Sequence, residues 1–329
     1  MIEAIRSILE LDTAGDPMSA QRWTLKTSDA IAQCLKENGI QVSGATVRRL
    51  LRALGYSLKS NRKCISAGNS PHRDTQFGII QQLRQEFTVS EDPIISIDTK
   101  KKELIGLFKN PGRRWCREAT KVKDHDFRSE AEGIATPYGI YDTQRNHGVL
   151  VVGQSADTPQ FATNSIALWW QEHGQANYPG ARRLLILADS GGSNAARSRA
   201  FKKFLLENIA DRFGLEITIA HYPTGASKWN PIEHRMFSEI SKNWAGTPLT
   251  SLPVMLQAAR TTKTTTGLSI DAYWDQADYK KGIKVSDKEM KALNFVKSEE
   301  LGQWNYVIKP QNAIVMKHEI TEQESKKAA

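Results

Sequence analysis

Three acidic residues stand where a folded chain could bring them together. Asp98 ends the apolar run 93–97, and Asp189 ends the apolar run 184–188. Glu233 lies at the start of a predicted helix. An acid at the carboxyl end of a buried strand is costly to desolvate unless a cation meets it. Carboxylate oxygens bind Mg²⁺ or Mn²⁺, and two such ions can catalyse phosphodiester chemistry, so these residues predict a two-metal site.

Each of these acids also has a purely structural explanation. Asp98 precedes three lysines (100–102), with which a strand-end carboxylate could pair. Asp189 precedes the glycine-containing segment 190–194, which also suits a plain strand-to-helix turn or a phosphate-binding loop. Glu233 could be a helix-start acid favoured by the helix dipole. The residue patterns by themselves leave both kinds of explanation open.

The composition favours a globular protein with a polyanionic partner. The chain has 329 residues and a hydrophobic content of 40%, which is enough for two or three domains with a sizeable core. Its 45 Lys and Arg against 36 Asp and Glu give a net charge of +9, which favours phosphate neutralisation on nucleic acid. Cys34, Cys64 and Cys116 have no paired spacing, so we expect reduced cysteines and neither a disulfide framework nor a zinc site.

The sequence has no window of about 18 apolar residues that could span a bilayer. Its amino terminus also lacks the basic, apolar and small-residue order of a secretory signal. Together with the basic charge, these features predict a cytoplasmic, nucleoid-associated protein.

Residues 28–54 have the pattern of a helix-turn-helix. Two predicted helices, 28–37 and 43–54, flank an Asn-Gly turn, and Ser43 is a good N-cap for the second. In the second helix apolar residues recur at i, i+3, i+4 and i+7 from Val47, which leaves a basic face opposite. An ordinary helical hairpin fits this pattern as well. The position of the segment ahead of a catalytic-looking unit favours a DNA-binding role. The predicted DNA-binding residues of this helix are Arg48, Arg49 and Arg52.

From residue 93 the pattern changes to short strands and then to alternating helices and strands. We predict strands at 93–98, 102–108, 138–142, 148–153, 182–188 and 216–220, and helices at 74–87, 161–173, 195–213 and 231–244. Ser193 or Asn194 is expected to cap the helix that follows Asp189. This order predicts an α/β fold, a mixed sheet with flanking helices of the ribonuclease-H-like type. Trp169 and Trp170 are predicted to be core residues.

The predicted domains follow from these patterns. They are a helix-turn-helix DNA-binding domain (1–58), a basic linker (59–73), a ribonuclease-H-like catalytic domain (74–309) and a polar C-terminal tail (310–329). The first domain is small and all-α. The linker is rich in Ser, Asn and Gly, and its basic residues could follow DNA phosphates.

Five segments of the sequence resemble the Rhodopirellula-type DDE transposase domain family of bacterial insertion sequences. They are Ile95–Gly112, Tyr138–Asp142, Ala188–Asn194, Ser227–Phe237 and Tyr279–Asp287. The family is related to the Tc1/mariner-like transposases, and the resemblance covers the chain from about Asp16 to Pro310. It implies a ribonuclease-H-like core behind a helix-turn-helix region, with Asp98, Asp189 and Glu233 as the catalytic, metal-binding triad.

The resemblance also implies an activity. The chain is expected to cleave DNA and transfer strands at the terminal inverted repeats of its own element and into target DNA, as a homodimer or higher oligomer. Asp98 would hold both of two Mg²⁺ ions (or Mn²⁺), Asp189 one and Glu233 the other. Further DNA contacts are expected from Lys100, Lys101, Lys102, Lys228 and Trp229. The alternatives are a truncated, catalytically silent transposase that only binds DNA, and a ribonuclease-H-like nuclease without strand joining.

Overall fold

A computed structural model describes most of the chain in two units. The described residues are 1–12, 14–15, 22–23, 26–58, 71–226 and 229–311. The units comprise residues 1–65 and 66–329. Most of the predicted linker, Cys64, Lys228 and nearly all of the predicted C-terminal tail lie outside the described residues. No helix in the described ranges is both long enough and apolar enough to cross a membrane.

The amino-terminal unit is built mainly from helices. Its elements are α1 (Ile2–Asp12), β1 (Ala14–Gly15), β2 (Arg22–Trp23), α2 (Ser28–Glu37) and α3 (Gly44–Ala53). The predicted bounds of α2 agree with the structure, and α3 is one residue shorter at each end than the predicted 43–54, because the ends of both helices are specified locally. Ser43 accepts a hydrogen bond from the amide of Thr46 at 3.2 Å, and Gly39 takes the turn with a φ of +78°.

The two faces of α3 divide as predicted. Val47 is fully buried in a cluster with Ile31 and Leu35 of α2 and with Ile5 of α1. The three arginines of this helix, Arg48, Arg49 and Arg52, are exposed. The helix therefore packs through its apolar stripe and presents a basic face to solvent.

The second unit contains a mixed nine-stranded sheet, counted over the described residues. Its strands are β3 (Ile94–Thr99), β4 (Glu103–Ile105), β5 (Gly133–Asp142), β6 (His147–Gly153), β7 (Arg183–Ala188), β8 (Glu216–His221), β9 (Ser269–Asp275), β10 (Phe295–Lys297) and β11 (Asn305–Ile308). The order is β10-β11-β8-β7-β3-β5-β6-β9, with β4 paired to β5. Strands β3, β7 and β8 are parallel, and β5 is antiparallel to both β3 and β6.

Helices cover both faces of this sheet. They are α4 (Arg73–Val89), α5 (Pro159–Trp169), α6 (Gln175–Asn177), α7 (Arg199–Leu205), α8 (Asp211–Phe213), α9 (Ser238–Trp244), α10 (Leu252–Arg260) and α11 (Asp287–Ala292). One face packs on α5 and α7, with Trp169 and Trp170 buried there as predicted. The other face packs on α4, α9 and α10. The predicted mixed α/β sheet with flanking helices is confirmed.

The helix predictions were less accurate where the backbone departs from α geometry. Three π-helical segments, Trp170–Gly174, Leu206–Ala210 and Glu233–Phe237, interrupt or begin predicted helices. The prediction that Ser193 or Asn194 caps the next helix was wrong. That cap is Ser198, which accepts a hydrogen bond from the amide of Phe201 at 3.1 Å, because residues 192–194 form a separate 3₁₀ turn.

Candidate active site

Sheet geometry brings two of the three acids together. Residues alternate between the two faces of a strand, so Asp98 points to the same face as Ile94, which packs on α4. Asp189 follows β7 and points to that same face. The parallel register pairs Ile97 with Ala188, which places Asp98 and Asp189 side by side at the carboxyl ends of neighbouring strands.

Glu233 reaches the same place through buried hydrogen bonds. Asn230 is fully buried, and its side-chain amide donates to the carbonyl oxygen of Ile97 at 3.3 Å while its Oδ1 accepts from the Ser96 hydroxyl. Ser96 Oγ in turn accepts from the amide of Ile232 at 3.2 Å. The turn that precedes Glu233 is therefore fastened to β3 beside Asp98. Neither Ser96 nor Asn230 was predicted as a site residue, although a serine within an apolar strand is a usable signal.

Close packing requires a glycine in the strand that neighbours Asp98. Gly139 of β5 pairs with Asp98, and a Cβ at this position would lie 2.4 Å from Phe237 and 2.8 Å from Ile232. The helical segment that carries Glu233 therefore lies directly against the sheet. A larger residue at 139 would push this segment away from Asp98.

Asp98 interacts with both other carboxyl groups. Burial raises the pKa of Asp98 to about 8, the charges of Asp189 and Glu233 add to the rise, and a hydrogen bond with Glu233 contributes as well. The amide of Thr99, 2.7 Å from Asp98 Oδ1, acts in the opposite direction. Burial also raises the pKa of Asp189, against the effect of the Ser190 amide at 2.6 Å. The metal-free site therefore holds a proton at neutral pH.

The loop after Asp189 is anchored on both sides. The ring nitrogen Nδ1 of His221 lies 3.1 Å from the carbonyl oxygen of Asp189, and the Ser190 hydroxyl donates to the carbonyl of Tyr222. Asn194, which is 1% exposed, accepts a hydrogen bond from the hydroxyl of Tyr138 at 2.8 Å. These contacts hold the backbone that positions Asp189, and they explain why Asn194 is not available as a helix cap.

The predicted DNA-binding side chains near the acids differ in exposure. Lys101 and Lys102 are exposed, whereas Lys100 pairs with Glu103 at 2.6 Å and lies over the ring of Trp244. Trp229 is 42% exposed and packs against α4, with the Arg73 guanidinium 4.3 Å from its ring centre. The exposed lysines are therefore the ones that can reach a phosphate backbone without breaking an ion pair.

A basic cleft of about 880 Å³ opens beside Ser190. The basic residues that line it are Arg197, Arg199, Lys202, Lys291 and Lys297, with Asp287 as an acidic neighbour. Lys202 is mostly buried, and burial lowers its pKa to about 8. The sequence predicted only a helix at 195–213 here, since the cleft is lined by segments about 100 residues apart. The cleft suits a polyanion next to Asp189.

The donor set of the three acids fits Mg²⁺ or Mn²⁺. All three side chains offer carboxylate oxygens, which hard divalent cations prefer, and their mutual repulsion favours a cation among them. The charges of both other acids raise the pKa of Asp98, so it is the central group of the cluster. Asp189 and Glu233 are available to complete a metal site on either side of it.

Comparison with known families decides the assignment of the chain. The profile of the Rhodopirellula transposase DDE domain matches residues 4–310. The chain belongs to this family. The resemblance inferred from the five sequence segments is confirmed. The match begins at residue 4, ahead of the start near Asp16 that the resemblance indicated. None of the curated proteins compared matches this DDE transposase domain.

Solved structures with a related arrangement are mariner transposases at low identity. The Mos1 transposase paired-end complex with the left transposon end is 16% identical, with a TM-score of 0.42, covering 77% of this chain and 68% of that one. The Mos1 strand transfer complex is 15% identical, with a TM-score of 0.42 and coverages of 78% and 68%. The mariner Mos1 paired-end complex with Mg is 14% identical, with a TM-score of 0.41 and coverages of 77% and 68%.

Asn230→Ala is expected to destabilise the DDE domain by roughly 2–3 kcal/mol and to slow any strand cleavage at least tenfold. The substitution removes the acceptor of the buried Ser96 hydroxyl and a donor to the carbonyl oxygen of Ile97, and it frees the turn before Glu233. Urea unfolding and single-turnover cleavage would measure the two effects.

Asn208→Ala is the matched control for this prediction. Asn208 also donates from its side chain to two neighbours, Thr163 at 3.1 Å and Asn164 at 2.8 Å, but on the other face of the sheet. This variant should lose stability and keep the cleavage rate of its folded fraction. An equal loss of rate in both variants would contradict a positioning role for Asn230.

Proposed function

We propose that this chain is a DDE transposase that cleaves DNA at the ends of its own element and joins the freed 3′-OH to target DNA. The observation that carries the proposal is the cluster of three carboxyl groups around Asp98, whose pKa is raised to about 8. A buried cluster of acids is costly unless cations neutralise it. Membership in the DDE transposase domain family supports the same function.

In this proposal Asp98 would hold both of two divalent ions, Asp189 would hold one and Glu233 the other. When bound, Mg²⁺ or Mn²⁺ supplies Lewis acidity for attack on phosphorus and stabilises charge on the leaving oxygen. Water is the nucleophile in cleavage and the 3′-OH in joining, so no covalent bond forms between enzyme and DNA.

Groups of the protein contribute positioning. The backbone amide of Thr99 holds one oxygen of Asp98, and the backbone amide of Ser190 holds one oxygen of Asp189, which fixes the orientation of both carboxylates. Asn230 keeps the turn before Glu233 against β3. Fixed ligands of this kind lower the cost of assembling the reactive geometry.

DNA contacts are proposed on both units. The exposed arginines of α3, Arg48, Arg49 and Arg52, would bind the terminal repeat as the recognition helix of a helix-turn-helix. Around the carboxylates, Lys101, Lys102, Trp229 and the basic cleft would hold the DNA backbone. Lys228 is proposed as a further DNA contact from the sequence alone. Two element ends must be joined at one target, so we infer a homodimer or higher oligomer on DNA. The protein would act in the cytoplasm, on nucleoid DNA.

The decisive experiment uses a DNA fragment that carries the terminal repeat with a labelled 3′-OH strand. With Mg²⁺ or Mn²⁺, a transposase should cut at the repeat and transfer the labelled strand into a target plasmid. Cleavage without transfer would contradict the proposal in favour of a ribonuclease-H-like nuclease. Specific binding without cleavage would contradict it in favour of a silent DNA-binding protein.

Substitution of two arginines of α3 tests the proposed recognition helix. If Arg48 and Arg49 each contact a phosphate, Arg48→Ala/Arg49→Ala should lower the slope of log Kd against log salt concentration by about 0.9 for each residue. Fluorescence anisotropy across a salt series measures this slope. Arg6→Ala is the control, since Arg6 is exposed on α1 and paired with Glu3 at 2.8 Å. An unchanged slope in the double variant would argue against α3 as the DNA-facing helix.

A further inference from the structure

A second cluster of potential metal ligands lies outside the carboxylate site. His147 begins β6, His173 lies in the π-helical segment after α5, and Asp271 lies in β9. One ligand atom from each of these residues lies within 4.8 Å of the other two. Oδ2 of Asp271 is 3.0 Å from Nε2 of His147 and 3.8 Å from Nε2 of His173. Three elements that are distant in sequence therefore place imidazole and carboxylate groups around one point.

This cluster is separate from the catalytic acids. In the β3–β5–β6 register, Asp98 near the end of β3 pairs with Gly139, whereas His147 pairs with Asp142, which lies opposite Ile95 near the start of β3. His147 also points to the opposite face of the sheet, because Val149 two residues on belongs to the core under α5 and α7. The two sites therefore lie at different ends and on different faces of the sheet.

We propose that His147, His173 and Asp271 bind a divalent transition-metal ion of the Zn²⁺ class. Two imidazoles and one carboxylate suit Zn²⁺, Co²⁺ or Ni²⁺, whereas Mg²⁺ prefers oxygen ligands alone. Ligand atoms around a tetrahedral zinc ion lie about 3.3 Å apart, given bonds of about 2.0–2.1 Å. The observed separations of 3.0 Å and 3.8 Å lie on either side of this value.

The surroundings of the cluster favour a bound ion. The side chains of His147 and His173 are only 15% and 16% exposed, and the 50% exposed side chain of Asp271 provides an entry path from solvent. Nδ1 of His147 is buried and has no hydrogen-bond partner within the described part of the chain. The ligand nitrogen of His147 would be Nε2, which lies 3.0 Å from Oδ2 of Asp271. Nε2 of His173 lies within hydrogen-bond distance of the hydroxyl of Tyr273, at 2.9 Å, and a bound ion would replace this contact.

An ion at this position would have a structural effect. Strand β9 forms the edge of the sheet and pairs with β6. An ion held by His147, His173 and Asp271 would fasten this edge strand to the helical layer that contains His173. Because it would bind the folded chain and not the unfolded one, it would raise the melting temperature.

Cobalt binding to the full, tag-free chain tests the proposal. The protein is stripped with chelator, supplied with excess Mg²⁺ to occupy the carboxylate site, and titrated with Co²⁺ while visible absorption is recorded. We expect one tightly bound Co²⁺ per chain, displaced by Zn²⁺. His173→Gln and Asp271→Asn should each weaken binding by about 100-fold or more, and Asp189→Asn should leave it unchanged.

The matched control is His125→Gln. His125 lies 3.2 Å from Asp124 but is exposed and is not part of such a cluster, so its substitution should not affect cobalt binding. Zn²⁺ should raise the melting temperature of the wild type and of His125→Gln, but not that of Asp271→Asn. Asp271 is half exposed, so this variant is expected to fold, which circular dichroism would check. Absence of saturable Co²⁺ binding by the wild type, or binding unaffected by Asp271→Asn and His173→Gln, would overturn the proposal. These readouts are independent of DNA cleavage.

Discussion

Asp98→Asn is expected to reduce strand cleavage by about 10³-fold or more while leaving DNA binding intact. The asparagine amide has the size of the carboxyl group and can still accept the hydrogen bond from Thr99. It lacks the negative charge that a divalent cation requires between Asp189 and Glu233. Single-turnover cleavage of the element end measures the rate, and anisotropy at matched salt measures the binding.

Asp142→Asn is the matched control for this experiment. Asp142 also ends a buried strand, is 1% exposed and has a pKa raised by burial. Its oxygens, however, accept hydrogen bonds from the hydroxyl of Tyr178 at 2.9 Å and from the amides of Gln144 and Arg145 at 3.0 and 3.1 Å. It therefore stabilises a hairpin turn, and its variant should keep cleavage activity. Full activity of Asp98→Asn would rule out the proposed triad.

The second large effect is a steep pH dependence of metal binding. Burial and neighbouring charges raise the pKa of Asp98 from 3.8 to about 8, so the metal-free protein carries this proton at pH 7. A divalent cation must displace the proton. The apparent affinity for Mn²⁺ should therefore rise about tenfold per pH unit up to about pH 8 and level off above it. Calorimetric titration on both sides of pH 8 measures this dependence, and a flat profile would contradict it.

Stability of the metal-free protein should change in the opposite direction. The folded state holds the Asp98 proton more tightly than the unfolded chain, so the free energy of unfolding should fall as pH rises from 3.8 to about 8. The slope for one such group is at most about 1.4 kcal/mol per pH unit. Asp98→Asn removes this ionisation and should flatten the profile.

The test compares the pH dependence of the unfolding free energy in the wild type with that in Asp98→Asn. Burial lowers the pKa of His221 from 6.5 to about 4, so His221 makes stability rise with pH between these values in both proteins. Urea unfolding in the presence of chelator would give both profiles. Parallel profiles would show that the pKa of Asp98 is not raised in the folded protein.

Local features of the fold could be predicted because their causes are local. Ser43 and the Asn-Gly turn specify α2 and α3 through a cap and a left-handed turn residue. The apolar runs before Asp98 and Asp189 predicted buried strands, and both strands lie within one or two residues of the predicted bounds. Strand β9 and helix α10 were not predicted.

The predicted helix at Glu233 shows the limit of periodicity. Periodicity predicted a helix at 231–244, but the structure has a π-helical turn at 233–237. Asn230 and Ser96 fasten the beginning of this turn, and Phe237 packs on Gly139. These partners lie about 90 to 135 residues away in sequence, so no local pattern could contain them.

The sequence by itself determined the family, the alternation of strands and helices, and the identity of three acids at element ends. Strand periodicity and segment resemblance depend only on residue order, which is why they could be read directly. The tertiary structure alone decided that Asp98 is the central carboxyl group, that Lys100 is paired while Lys101 and Lys102 are exposed, and that His147, His173 and Asp271 meet. These features depend on strand register, burial and packing between distant segments, and a linear pattern carries none of that information.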